Sequence, residues 1–361
     1  MKYKHLNVRP KALEALKHYN LPKGPLGFGK YSTPIMIVCD YADGKWGELK
    51  LAPFAFLNLL PTAKVFHYAQ EVFEGMKAYR VDGKGPYLFR PDKNFERFNL
   101  SCKRMAIPEI PREYFMEAIQ AITAYSAEFI PQKTGESLYL RPFTIATEES
   151  LGIKPSEKYK FVVVACPSDA YFTKGTVPVM IERQAARAGM GGTGNAKTGG
   201  NYAASLISAI EAKERGYLMT LWLDSLEKRY VEELSGMNFF CIINGELWTP
   251  ALTETILVGI TRDSIIHLAK DMVLKVHEER IDITELITSI KNNECTEAFA
   301  CGTAAIISPI ECLGENHGTR YTFRDQGGNI SLKLRQRLLD IQEGRYQAPE
   351  GWLVKVDLPQ L

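Results

Sequence analysis

Gly189-Met190-Gly191-Gly192-Thr193-Gly194-Asn195-Ala196-Lys197-Thr198-Gly199-Gly200-Asn201-Tyr202 is the stretch on which the reading of this chain turns. Its first six residues satisfy the G-x-G-x-x-G string of dinucleotide-binding proteins, but that fold sets the glycines directly after a strand. Here the nearest strand signal, Val179-Met180-Ile181, is separated from them by Glu182 to Ala188. From Gly191 the stretch nearly spells the nucleotide-binding P-loop, G-x-x-x-x-G-K-[ST], and departs at Ala196, where that loop needs a glycine. A flexible surface loop with a solvated lysine is the third reading. What favours chemistry is the neighbourhood of Lys197: its neighbours are too small to crowd a planar ring, and Asn201-Tyr202 opens the next helix. A lysine used as a nucleophile needs a sheltered, low-charge site that favours its neutral amine.

Outward from this segment, the pattern predicts an α+β chain in two domains. Upstream, Ile35-Met36-Ile37-Val38 reads as a strand, and two apolar runs between Met76 and Phe89 flank Asp82-Gly83, a turn pair, giving a β-hairpin. Asp92 is expected to cap a helix through Met105. A second helix spans Arg112 to Phe129, with Phe115, Ile119, Ile122 and Phe129 near one face, and strands follow at Leu138 to Ala146 and Phe161 to Ala165. Downstream, Ala203, Leu206, Ile207 and Ile210 share a helical face that Gly216 can terminate. A hairpin crosses Asn244-Gly245, a helix from Arg262 to Met272 buries Ile265, Leu268, Ala269 and Met272, and a last amphipathic helix lies near Ser331 to Gln342. The expected division is a small domain over 1–168, a linker over 169–178, and a larger domain over 179–361.

Composition narrows the partners. With 44 basic and 42 acidic residues spread along the chain, the formal charge is +2, and no basic stripe suggests nucleic acid. The seven cysteines are scattered, without Cys-x-x-Cys or a nearby His at metal-ligand spacing, so they read as buried thiols and no metal site is expected. The first twenty residues lack the apolar run of a signal peptide, and no long uncharged apolar stretch suggests a membrane span. A small-molecule substrate and a cytoplasmic address are the expectations.

Five separated motifs carry a more specific signal: FEGMKAYR at 73–80, LYLRPF at 138–143, AKTGGNYAASL around Lys197, GITRDSI at 259–265 and ACGTAAIISP at 300–309. In this order they resemble branched-chain amino-acid aminotransferases, pyridoxal-phosphate enzymes of fold type IV, from about Phe28 to Pro309. The resemblance implies a small N-terminal α+β domain, a larger β-rich domain with helices, and the cofactor between them. It implies transamination of leucine, isoleucine and valine with 2-oxoglutarate, in two half reactions through pyridoxamine phosphate.

By the same resemblance Lys197 carries pyridoxal 5′-phosphate as a Schiff base and then shuttles the proton at the substrate Cα. Glu233, rather than its neighbour Glu232, matches the acid that protonates the pyridine nitrogen, because it stands five residues before Asn238. Tyr202 matches the donor to the phenolic oxygen. Arg97, with Arg90 as the alternative, joins Thr303 and the backbone N–H groups of Ile260 and Thr261 as a phosphate cup, where a helix N-terminus suits a dianion. Phe28, Tyr68, Phe73, Tyr139 and Tyr171 match an apolar pocket, in which an isobutyl group gains about 1.5–3 kcal/mol on burial. Thr303 and Ala304 match the carboxylate end, and Arg141 matches the residue that meets the second carboxylate of glutamate. Leu151 and Ile153, in TEESLGIKP, match a loop that closes the pocket of a partner subunit, so a homodimer is implied.

One departure is informative. Some animal relatives carry a Cys-x-x-Cys redox pair after the Gly-Thr-Ala motif, where this chain has Ala305 and Ser308. D-amino-acid transaminases and an aminodeoxychorismate lyase share the fold type and are the nearest enzymatic rivals, with Arg141 and the match around Tyr68 pointing away from them.

Overall fold

The computed structural model describes residues 3–170 and 175–359 and divides the chain into two compact units. The first comprises Met1–Tyr171, Ala196–Gly199 and Asp340–Leu361, and the second comprises Phe172–Asn195 and Gly200–Leu339. The first unit therefore takes back four residues around Lys197 and the chain's last segment, neither of which a cut along the sequence would give it.

The first unit is a sheet in the spatial order Leu6–Val8, Leu49–Pro53, Ile35–Ala42, Tyr159–Ser168, Ser137–Ala146, Met76–Tyr79, Tyr87–Phe89 and Leu353–Lys355. Among the described residues of this sheet only Leu6–Val8 and Leu49–Pro53 pair in parallel. The two long central strands pair over ten residues, Ser137↔Ser168 to Ala146↔Tyr159. Side chains alternate between the faces of a strand, and here the two faces differ in purpose. Ile37, Leu138, Leu140, Phe161 and Val163 pack against Phe98, Phe115, Ile119 and Ile122 of helices Pro91–Arg104 and Arg112–Tyr125. Tyr139, Arg141, Phe143, Val162, Val164 and Cys166 take the opposite parity and line a cavity of about 590 Å³.

Helix Pro91–Arg104 starts differently from the expectation. Pro91 occupies the first turn with Asp92, and Arg90, in a left-handed conformation, holds the cap position without a side-chain capping bond. Proline's fixed φ suits the first helical position, and an acid one residue later still complements the helix dipole.

The second unit is a mixed sheet in the order Val231–Leu234, Met219–Leu223, Val177–Glu182, Ile306–Gly314, Cys295–Gly302, Met237–Ile243, Glu246–Pro250 and Val276–Glu279. The Asn244-Gly245 pair takes φ of 52° and 79° between Met237–Ile243 and Glu246–Pro250, as a two-residue hairpin turn requires. Helices Ile260–Asp271 and Ile283–Lys291 cover the sheet's buried residues. In helix Leu206–Glu214 the apolar residues Leu206, Ile207 and Ile210 are exposed while Ser208 and Ala212 are buried, and Ala203, expected on the same face, belongs to the separate helix Gly199–Ala203. Among the described residues no helix is long and apolar enough to cross a membrane, and the seven cysteines are unpaired and buried.

Candidate active site

The strand Val177–Glu182 is followed by turns and bends, and the next helix, Gly199–Ala203, is five residues long. Neither a dinucleotide fold nor a P-loop has that order, since both set glycines at the strand end and open a full helix on them. Lys197 instead belongs to the first unit.

There it is held by its backbone on both sides. Its N–H donates to Ser101 Oγ at 2.9 Å, and its carbonyl accepts from the Phe73 N–H at 3.0 Å. Thr198 Oγ1 and the Gly199 N–H both donate to Glu71 Oε1. The side chain is half-buried, with Nζ 4.8 Å from the centroid of the Phe73 ring. The neighbourhood is not low in charge, as expected from sequence: Glu74 is wholly buried and close enough for the charge of Lys197 to act on it.

Glu74 organises the surroundings of Lys197 in the first unit. Arg97 Nε and Nη2 donate to its two oxygens at 2.7 and 2.9 Å, Asn94 Nδ2 donates at 2.7 Å, and the Gly75 N–H at 3.0 Å. Burial pushes this carboxyl up, but the charge and hydrogen bonds of Arg97, with the charge of Lys197, outweigh it and hold the group below the usual carboxylate range. Asn94, Arg97 and Ser101 share one helical edge, so a single turn pattern presents all three to Glu74 and Lys197. Gly75 is required here, because any Cβ would overlap the Tyr139 hydroxyl. Arg90, the alternative to Arg97, stacks on Trp352 at 4.7 Å.

The apolar candidates gather on the same unit. Phe28 meets Tyr139 edge-on at 4.7 Å, and both border the cavity with Arg141. Arg141 Nη2 donates to the Tyr139 hydroxyl at 3.0 Å, the guanidinium lies 4.8 Å from the Phe73 centroid, and Nε is buried with no hydrogen-bond partner among the described residues. A strand arginine held by aromatic faces presents its charge to the cavity. Tyr68 donates to the Leu151 carbonyl, fixing the loop whose Ile153 is 90% exposed. Tyr171 lies outside the described residues.

The second unit holds the other candidates. Tyr202 is half-buried in helix Gly199–Ala203. Glu233 is buried on strand Val231–Leu234, accepts from Asn238 Nδ2 at 3.1 Å, and pairs with Arg187 Nη2 at 2.6 Å. Glu232, on the opposite face, accepts from Thr255 Oγ1, and burial raises its carboxyl. Ile260 and Thr261 open a helix on Gly259, which provides no side-chain cap. A helix start of this kind leaves N–H donors for an anion. Thr303 and Ala304 form the turn between strands Cys295–Gly302 and Ile306–Gly314.

Sequence reasoning passed over Glu71, Glu74, Asn94, Ser101 and Arg187. The i, i+3, i+7 spacing of Asn94, Arg97 and Ser101 beside Phe98 and Cys102 was the available signal, a polar edge on a helix that is otherwise apolar inward.

The model of the class IV amino-transferases matches residues 71–312. The chain belongs to this family. Branched-chain-amino-acid transaminase 1 of Bacillus subtilis is 45% identical over 335 residues, covering 92% of this chain and 94% of that protein. Among solved structures, the T.th. branched-chain amino acid aminotransferase complexed with N-(5′-phosphopyridoxyl)-L-glutamate aligns with a TM-score of 0.72 at 28% identity, covering 88% of this chain and 98% of that one. The branched-chain aminotransferase of the archaeon Thermoproteus uzoniensis, with norvaline, aligns at 0.74 and 26% identity, covering 90% and 100%. As a class IV aminotransferase, the chain has fold type IV architecture, with α+β content in both units.

Proposed function

We propose that this protein transfers the amino group of L-leucine, L-isoleucine and L-valine to 2-oxoglutarate, using pyridoxal 5′-phosphate carried by Lys197. The observation that carries the reading is the setting of Lys197: its backbone is clamped by Ser101 and Phe73, and its amine lies on the ring that also takes Arg141. The residues present fit the cofactor. Lys197 offers the amine, Glu233 a buried carboxylate for the ring nitrogen, Tyr202 a hydroxyl for the phenolic oxygen, and Arg97, Thr303 and the N–H groups of Ile260 and Thr261 the phosphate donors. When bound, the cofactor withdraws electrons from the substrate Cα and stores the amino group between half reactions.

The chain's own groups do the rest. Once released, the Lys197 amine takes the proton from Cα and returns it on the other carbon. Phe28, Phe73 and Tyr139 favour a branched apolar side chain, and Tyr68 and Tyr171 are assigned to the same lining. Thr303 and Ala304 bind the α-carboxylate. Arg141 takes the second carboxylate when glutamate replaces leucine, and its buried Nε, without a hydrogen-bond partner among the described residues, supports that role. Glu74 fixes Arg97 for the phosphate.

The working form is a homodimer in the cytoplasm, with Leu151 and Ile153 of each copy closing the pocket of the other. Support comes from the exposure of both residues, from the exposed Leu206, Ile207 and Ile210, and from seven unpaired thiols. A coupled assay of glutamate formation from leucine and 2-oxoglutarate tests the reading. Lys197→Ala should abolish turnover while circular dichroism stays unchanged; residual turnover within tenfold of the parent would contradict it.

A further inference from the structure

Arg187 stands ten residues before Lys197, in the segment that separates the strand Val177–Glu182 from the glycines. It is 8% exposed, a rare fate for an arginine without a partner. Its Nη2 lies 2.6 Å from Glu233 Oε1 and donates to the carbonyls of Gly194 at 3.0 Å and Thr255 at 2.5 Å. Glu233 is tied on its other oxygen by Asn238 Nδ2, and the Leu257 N–H approaches Oε1 at 3.4 Å. Glu232, one residue away, forms no ion pair among the described residues and borders a separate small cavity of about 70 Å³ with Asp224 and Thr255.

We propose that Arg187 is a positioning residue for Glu233, supplying its counter-charge and fixing the direction in which its carboxylate points. The inference rests on the assignment of Glu233 to the cofactor's ring nitrogen. A buried carboxylate without a cation is costly, and one that is free to turn cannot meet a ring N–H at one fixed place. Arg187 removes both problems, because the two backbone carbonyls hold its guanidinium while its charge holds the acid. The glycine-rich segment makes this clamp possible. A Cβ on Gly194 would lie within 2.8 Å of Ala188 and of the Thr255 backbone, so only glycine lets its carbonyl reach Arg187 beside that of Thr255.

The test uses equilibrium binding to the cofactor-free protein of two probes: pyridoxal 5′-phosphate, and its analogue with carbon in place of the ring nitrogen. The parent should prefer the first. Arg187→Met should lose at least tenfold of that preference while its affinity for the analogue stays within threefold. Arg187→Lys, which keeps a buried charge and so protects folding, should lose at least threefold, because the lysine side chain is one bond shorter and its ammonium stops short of the place that Nη2 takes between Glu233 and the two carbonyls. Parental preference in Arg187→Lys, or in a folded Arg187→Met, overturns the proposal. Glu233→Gln separates the two claims: if it keeps the full preference, the assignment of Glu233 falls, and if it alone loses the preference, only the role of Arg187 falls.

Discussion

Replacing Glu74 with Gln perturbs the first unit at a fully buried charge. The carboxylate is fully enclosed and accepts four hydrogen bonds, two of them from Arg97, which is itself only 8% exposed. Glutamine keeps the shape but removes the charge, taking from the buried guanidinium its charge partner Glu74 and turning an NH₂ toward a donor. Breaking a buried pair from one side costs about 3–5 kcal/mol. Because the pair joins helix Pro91–Arg104 to the segment after strand Glu71–Phe73, the loss should appear locally, as hydrogen-exchange protection of that helix lowered by about two to four orders of magnitude. Glu74→Gln/Arg97→Met should recover part of the loss, since removing both charges leaves neither stranded. A single-variant loss below about 1 kcal/mol, or strict additivity in the double variant, would refute this account of the pair. The pH dependence has a definite sign. The folded carboxyl is depressed relative to its unfolded value, so its stabilisation is complete above that unfolded value and is lost as pH falls through the folded one. The difference between parent and Glu74→Gln should therefore shrink on acidification.

Two further outcomes follow from the cavity and the exposed loop. Arg141→Gln should raise KM for 2-oxoglutarate by roughly 10- to 150-fold, the worth of a charged hydrogen-bonding group at about 1.5–3 kcal/mol, while KM for leucine moves less than about threefold; equal effects on both would remove Arg141 from the second-carboxylate role. Ile153→Asp should leave the thermal midpoint nearly unchanged, as expected for an exposed side chain, yet raise KM for leucine and weaken self-association in sedimentation; unchanged kinetics would dismiss the loop as a pocket closure.

The parts of the fold that were legible in the sequence are those with short-range causes. Asp82-Gly83 and Asn244-Gly245 set hairpins because both residues of each pair adopt positive φ, and Phe115, Ile119 and Ile122 fix the inward face of their helix. Long-range pairings left no periodic mark. Nothing local tells that Ala196–Gly199 joins the first unit through Glu71 and Ser101, or that the three-residue strand Leu353–Lys355 pairs with Tyr87–Phe89. The Glu74–Arg97 pair spans twenty-three positions and Arg187–Glu233 forty-six, so nothing local told which cation each acid meets. Helix Leu206–Glu214 carries an apolar face that its spacing gives, but spacing does not tell that this face is exposed.

The most direct measurement of the central claim is an absorption spectrum of the purified protein, taken before and after L-leucine and again after 2-oxoglutarate, with Lys197→Ala alongside. The account predicts a yellow protein that leucine bleaches and 2-oxoglutarate restores, and a variant that shows no such cycle. A colourless protein that pyridoxal 5′-phosphate cannot reconstitute, or a yellow one that leucine leaves unchanged, would contradict it.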